Sequence, residues 1–435
     1  MTLNKKVLSL TSLLAVIAAG ASAHDLIPGK AQTAPVLLKG LTVHTVTNGV
    51  QEQTDVLFEQ GKITAIGQNL SAPAGAEVLE LQGKHLYPGL IASANQLGLI
   101  EIEAVRSTND TTEITQTNPD IRAKVAYNAD SEVIPTIRSN GFSYSLIYPA
   151  GEMLMGQSAL MQLDAWNYLD AVVSDKTGMH VRWPNAGSLG SRWNPKPAAE
   201  VRKENEQKLK QLQQHFKNAK AYFDAEQAGL NRGVDSRWQA MIPVFKGELP
   251  LFVHADDERQ IRQAMLLATE YGLKLNIVGG RDSWRMAEEL AAADVAVIYT
   301  SPYGLPTRAD EAYNQAFRTP AVLAQAGVNF ALSLDGYWDT RNVVYAAGQA
   351  TAFGLTPEQA LRSVTINAAQ IAGVADRIGS IEVGKAASLV VSDGDIFDYL
   401  THKVRYMWID GRAVDLNNRN KQLHDKYQQR YQQSE

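Results

Sequence analysis

His254 and Asp335 are the side chains whose types and positions are best suited to chemistry. His254 closes the apolar run 250–253, and Asp335 follows the apolar run 331–334 directly before Gly336, so each stands where a strand gives way to a loop. Within hydrogen-bond reach of each other, an imidazole and a carboxylate make a general base and the group that orients it. Each also has a structural reading. A histidine closing a buried strand is often a hydrogen-bonded core residue, and an Asp before Gly commonly caps a turn. A second acidic group, Glu101, Glu103, Asp110 and Glu113 with Arg106 among them, offers oxygen donors to a hard cation such as Ca²⁺ or Mg²⁺. A solvated loop with local ion pairs is the preferred reading there. Asp256, Asp257 and Glu258 read as the N-cap and acidic first turn of a helix. The chain has no cysteine, which removes disulfides, Cys nucleophiles, thiolate zinc sites and iron–sulfur clusters.

The elements that must position these residues fall into three groups. Short apolar runs with Gly-containing turns over 36–40, 55–59, 63–67 and 78–81 predict β-hairpins, and a similar set lies at 387–391 and 404–409. Neither set closes a core alone, so pairing between the two ends of the chain is expected. Between them, strand-like runs at 142–148, 251–255, 273–278, 295–300 and 328–334 alternate with helical patterns such as 258–271 and 283–293. That alternation predicts parallel β/α units arranged as a TIM-like barrel. The segment 183–246 breaks the rhythm and carries a charged helix over 199–227, an insertion expected over the barrel mouth. Trp183, Trp193, Trp238, Trp338, Tyr337 and Tyr303 fall in inferred loops, where they either line a pocket or pack the insertion; packing is the expectation. The loop 151–157 lacks the Gly-Lys-Ser/Thr ending of a phosphate-binding loop. Lys5 and Lys6, the apolar run 7–19 and Ala21-Ser22-Ala23 have the layout of a secretory signal. A net charge of −5 with no basic stripe gives no support for nucleic-acid binding.

Several patches together resemble the amidohydrolase superfamily, in particular its imidazolonepropionase-like secreted branch. They are Gly61-Lys62-Ile63-Thr64-Ala65-Ile66-Gly67, Tyr87-Pro88-Gly89-Leu90-Ile91, Val253-His254-Ala255, Ile366-Asn367-Ala368-Ala369, and Ile378-Gly379-Ser380-Ile381-Glu382-Val383-Gly384-Lys385. The resemblance implies an α/β fold: a TIM-like (β/α)8 barrel with a composite β-sandwich formed by the N- and C-terminal segments. It divides the chain into a signal peptide over 1–23, a composite β-sandwich over 24–86 and 380–420, a barrel over 87–379 with the insertion 183–246, and a polar tail over 421–435. In the family, metal ligands come from a first-strand His-x-His, a fourth-strand Lys or Glu, fifth- and sixth-strand histidines and an eighth-strand Asp. Carried over, the fifth-strand histidine is His254 and the eighth-strand acid is Asp335, as catalytic groups and as metal ligands. The first strand instead carries Ala92, Ala94 and Gln96, the fourth-strand region offers Gln162, and the run 276–280 has no histidine.

The expectation is therefore an exported, periplasmic or secreted hydrolase acting on carbon–nitrogen bonds other than peptide bonds, with a small-molecule substrate. One divalent metal ion, zinc by resemblance, is implied as cofactor, and a site with none is the alternative that the missing ligands leave open. The other functional class is a catalytically inactive homologue that binds a ligand, as a homo-oligomer or paired with an active relative. Stable membrane insertion is not expected, because the N-terminal apolar run is short of the roughly 20 residues a bilayer needs.

Overall fold

A computed structural model describes residues 27–113, 115, 117–185, 196–230 and 233–433. The export signal expected over 1–23 and Trp193 lie outside them. The N-terminal hairpin signals become five strands: β1 (Val36–His44), β2 (Val50–Glu59), β3 (Lys62–Gly67), β4 (Glu77–Glu80) and β5 (His85–Pro88). β1, β2 and β3 pair antiparallel, while β1 takes β4 as a parallel partner along its first half and β5 along its second. Gly40 sits at that changeover with φ +73°, donating its N–H to the buried Asp55 carboxylate at 2.9 Å.

The next eight strands form the barrel sheet: β6 (Leu90–Asn95), β7 (Phe142–Ile147), β8 (Leu154–Gln162), β9 (Val172–Arg182), β10 (Leu251–Ala255), β11 (Leu275–Gly279), β12 (Ala296–Tyr299) and β13 (Phe330–Leu332). They are ordered sequentially from β6 to β13. The two outer strands approach closure through the Ser333 hydroxyl, which donates to the Ser93 carbonyl. The TIM-like barrel stands, with one departure from uniform β/α units: β8 runs antiparallel to both β7 and β9, and the others are parallel. The cause is connection length. Only residues 148–153 join β7 to β8, too few for a crossover helix, so the chain must return beside the strand it has just left.

Strand alternation separates two faces. Inward, Ile91, Leu146, Leu160, Phe252, Val278 and Ile298 fill the barrel; outward, Val253, Ile277, Val297 and Leu332 meet the surrounding helices. The helix Glu258–Tyr271 covers β10 with Ile261, Ala264, Leu267 and Ala268 at helical spacing. It starts on a capping box of Asp257 and Gln260 and ends on Gly272 at φ +66°. The expected helix over 283–293 is a 3-10 turn, Ser283–Met286, followed by Ala287–Ala292.

After the barrel, β14 (Leu389–Ser392), β15 (Val404–Ile409) and β16 (Arg412–Ala413) return to the first sheet, and β14 pairs antiparallel with β5. Strands from both ends of the chain thus share one core, in which Phe58 and Trp408 meet edge to face at 5.6 Å. In the insertion, the helix Ala198–Gln227 buries Leu212, Phe216 and Ala219 and packs on Ser236–Phe245. Among the described residues no helix is long and apolar enough to cross a membrane.

Candidate active site at the barrel mouth

A cavity of about 1250 Å³ opens where the parallel strands end, with His254 and Asp335 both on its wall. His254 is the last inward-facing residue of β10, in register with Arg182 on β9 and Val278 on β11. Asp335 follows β13 and accepts a hydrogen bond from Thr300, the residue after β12. The two residues are brought to one cavity, but no hydrogen bond joins them. Asp256 completes this wall. Its neighbour across the cavity rim is Gly279 at φ +103°, where a β-carbon would stand 2.7 Å from an Asp256 carboxylate oxygen. Asp256 is thus not part of the helix cap expected for the 256–258 run; Asp257 alone caps, and the alternation of side chains at the strand end turns Asp256 towards the cavity.

Sequence reasoning missed two residues. His180 on β9 is fully buried between the rings of Tyr148 and Phe252, each centred 4.9 Å away and nearly parallel to it. Its Nδ1 lies 2.9 Å from Nε2 of His254, and its own Nε2 is buried without a partner among the described residues. Arg182 donates Nε–H to the Gly151 carbonyl at 2.8 Å and reaches into the cavity. The signal for both was present in 178–182, where apolar Met179 and Val181 alternate with Gly178, His180 and Arg182.

Fourth-strand placement explains the miss. Gln162 lies on the reversed β8, so its end of the strand meets the starts of β7 and β9, away from the cavity. There its amide donates to the Asp170 carbonyl at 2.6 Å and accepts from Arg412 at 2.5 Å. The fourth barrel strand is β9, and Arg182 ends it.

The electrostatics set the charge states apart. Burial pushes His180 down to about 3. Burial, then the neighbouring His180 and Arg182, hold His254 well below the ordinary imidazole range, so both rings are neutral at pH 7. Asp335 is raised above the ordinary carboxylate range by its recess in the wall and by the Asp256 charge, with Thr300 and Arg182 pulling the other way. Asp256 is raised as well, chiefly by desolvation. Further out, Arg308 clamps the Asp282 carboxylate with two bonds of 2.8 and 2.6 Å, and Lys208 of the insertion helix pairs with Glu152 at 3.1 Å.

The donor set does not fit a resident zinc or similar ion. Ala94 and Val278 stand in the apolar filling of the barrel at the first- and sixth-strand positions, and the Arg182 guanidinium, a permanent cation, ends the fourth. At the first-strand end, Asn95 Oδ1 accepts from Leu97 N at 2.8 Å and Ser145 Oγ at 2.9 Å. Among the described residues no three His, Cys, Asp or Glu side chains converge, the group Glu101, Glu103, Asp110 and Glu113 included. Of the loop aromatics, Trp183 lines the cavity and donates to Gln263 at 3.0 Å. Trp238 lies in the helix Ser236–Phe245 rather than a loop, and both it and Trp338 pack on the core.

Comparison with known proteins places this geometry among relatives. Residues 250–414 match the family model described as the amidohydrolase family. The amidohydrolase tasK of Hapsidospora irregularis is 22% identical over 391 residues, covering 82% of this chain and 39% of that protein. An imidazolonepropionase of Maricaulis maris is 29% identical over 175 residues, covering 39% of this chain and 42% of that one. The chain thus spans about two fifths of the length of these curated relatives. The crystal structure of an amidohydrolase from Thermotoga maritima superimposes with a TM-score of 0.76 at 25% identity, covering 87% of this chain and 99% of that one.

Proposed function

Because the chain belongs to the amidohydrolase superfamily, we propose that it is a hydrolase acting on a carbon–nitrogen bond, other than a main-chain peptide bond, in a small substrate held at the barrel mouth. The observation that carries this reading is the meeting of an imidazole, a guanidinium and a carboxyl of raised pKa, those of His254, Arg182 and Asp335, on one recessed wall. Members of the family generally use a divalent metal, often zinc; here the chemistry is assigned to the chain's own groups because the donor set at the strand ends does not fit one.

In this reading Asp335 takes a proton from water as the water oxygen bonds to the substrate carbonyl carbon, and the carbonyl π pair moves onto its oxygen. His254 and the terminal N–H groups of Arg182 face that oxygen and stabilise its developing charge. The tetrahedral carbon then expels nitrogen, which leaves with the bond pair and with the proton that Asp335 held. Export through residues 1–23 belongs to the same proposal and is checked by sequencing the N-terminus of the mature protein. The central test is amine release from a panel of cyclic amides, imides, dipeptides and N-acyl amino acids, with and without added zinc or manganese. Hydrolysis of a cyclic amide, imide or N-acyl amino acid that Asp335→Ala abolishes supports the reading, and cleavage of dipeptides alone refutes it. A panel left untouched, with one compound raising the melting temperature, would replace it with ligand binding.

A further inference from the structure

We infer that His180 is a positioning residue that donates Nδ1–H to Nε2 of His254, and so makes His254 present an N–H, not a lone pair, to the cavity. Only one proton can lie between the two nitrogens, which are 2.9 Å apart. Its owner follows from the far side of His180. That ring's Nε2 is buried with no partner among the described residues, and both ring faces are covered by Tyr148 and Phe252. If Nδ1 of His180 were the acceptor, its single proton would sit on Nε2 as a buried donor with nothing to receive it. An orphaned buried N–H is rarer in folded proteins than an under-used acceptor, and a doubly protonated ring would bury a charge between two aromatic faces as well. His180 therefore carries its proton on Nδ1.

The consequence passes to His254. Its Nε2 lone pair is used by His180, so the neutral ring holds its proton on Nδ1. Among the described residues that nitrogen has no hydrogen-bond partner, and it is not buried, so it opens to the cavity that His254 lines. The ring is thus set up as a hydrogen-bond donor to a carbonyl oxygen or oxyanion. With its proton on Nδ1, the cavity-facing nitrogen has no lone pair to offer a metal ion, in accord with Ala94, Val278 and Arg182 at the neighbouring positions. What the donor does in turnover rests on the hydrolase reading; the tautomer itself does not.

The test is long-range ¹H–¹⁵N correlation NMR of the full mature protein with labelled histidine, His254 being assigned by the loss of its signals in His254→Gln. The expected pattern is a protonated Nδ1 and a bare Nε2 at His254; the reverse pattern overturns the inference. His180→Asn keeps an N–H donor at the same branch of the side chain and should preserve the pattern. His180→Phe fills the aromatic stack without a donor and should scramble it, lowering kcat about tenfold to 100-fold with KM nearly unchanged, as when a donor to a developing oxyanion is misplaced. An unchanged nitrogen pattern in His180→Phe also overturns it. If no panel compound is hydrolysed, the hydrolase reading fails on its own, and the nitrogen pattern still decides the tautomer.

Discussion

Asp335 and Asp256 share a wall on which burial first, and then the Asp256 charge, make Asp335 harder to ionise. A general base must be ionised, so turnover should fall as pH drops through the raised Asp335 value, at a higher pH than a solvent-exposed carboxylate would give. Asp256→Asn removes the like charge and should move that limb of the kcat/KM profile towards lower pH; an unmoved limb refutes the coupling. Asp335→Asn should cost at least about 100-fold in kcat, the usual contribution of a positioned base. The histidines act on stability, which falls in the same direction of pH. His180, pushed down to about 3, stays neutral when folded, whereas the unfolded chain binds its proton near 6.5. Stability is therefore complete above about pH 6.5 and is lost as pH falls, by up to about 1.4 kcal/mol per pH unit for a ring that cannot protonate. Melting temperatures recorded between pH 7 and 5 should show this slope, and His180→Phe should flatten it. At this scale His254 and Asp335 were legible because each ends an apolar run. His180 was not, since polar Ser174, Asp175 and Lys176 disguise its strand and its role depends on a partner far away in the sequence.

Elements were easier to find than their directions. The run 251–255 is a strand with those bounds, and the expected helix over 199–227 is Ala198–Gln227. Apolar alternation reads the same whichever way a strand points, so the reversal of β8 left no trace in its own residues. It resides in the short connection 148–153, and missing it moved the fourth-strand assignment to Gln162. The insertion helix owes its seat to apolar contacts rather than to its charged surface, because Phe216 is fully buried and its ring lies 6.1 Å from that of Tyr271. Phe216→Ala should destabilise the protein by about 3–5 kcal/mol in denaturant titrations. Since the same helix brings Asn205 and Lys208 to the cavity, the variant should also weaken substrate binding, visible as a raised KM. A normal KM in a folded Phe216→Ala protein would show that this wall is not part of the binding surface.

The whole molecule is fastened by pairing between segments that the complete barrel separates. Val390 of β14 faces Tyr87 of β5, and Leu389 faces Pro88, while Lys84 and Asp393 add an ion pair of 2.7 Å at the same seam. Removing residues 380–435 should leave β5 with an unpaired edge and an open core, seen as insoluble or aggregated protein on expression. The seam also bears on the order of events during synthesis. The N-terminal hairpins emerge first, yet the strand that lies against β5 is made only after every barrel strand. Closing so long a loop is entropically costly and slow. The first sheet therefore has to wait, partly built, until nearly the entire chain exists. A chain interrupted before residue 389 therefore carries those hairpins with the far edge of β5 still open.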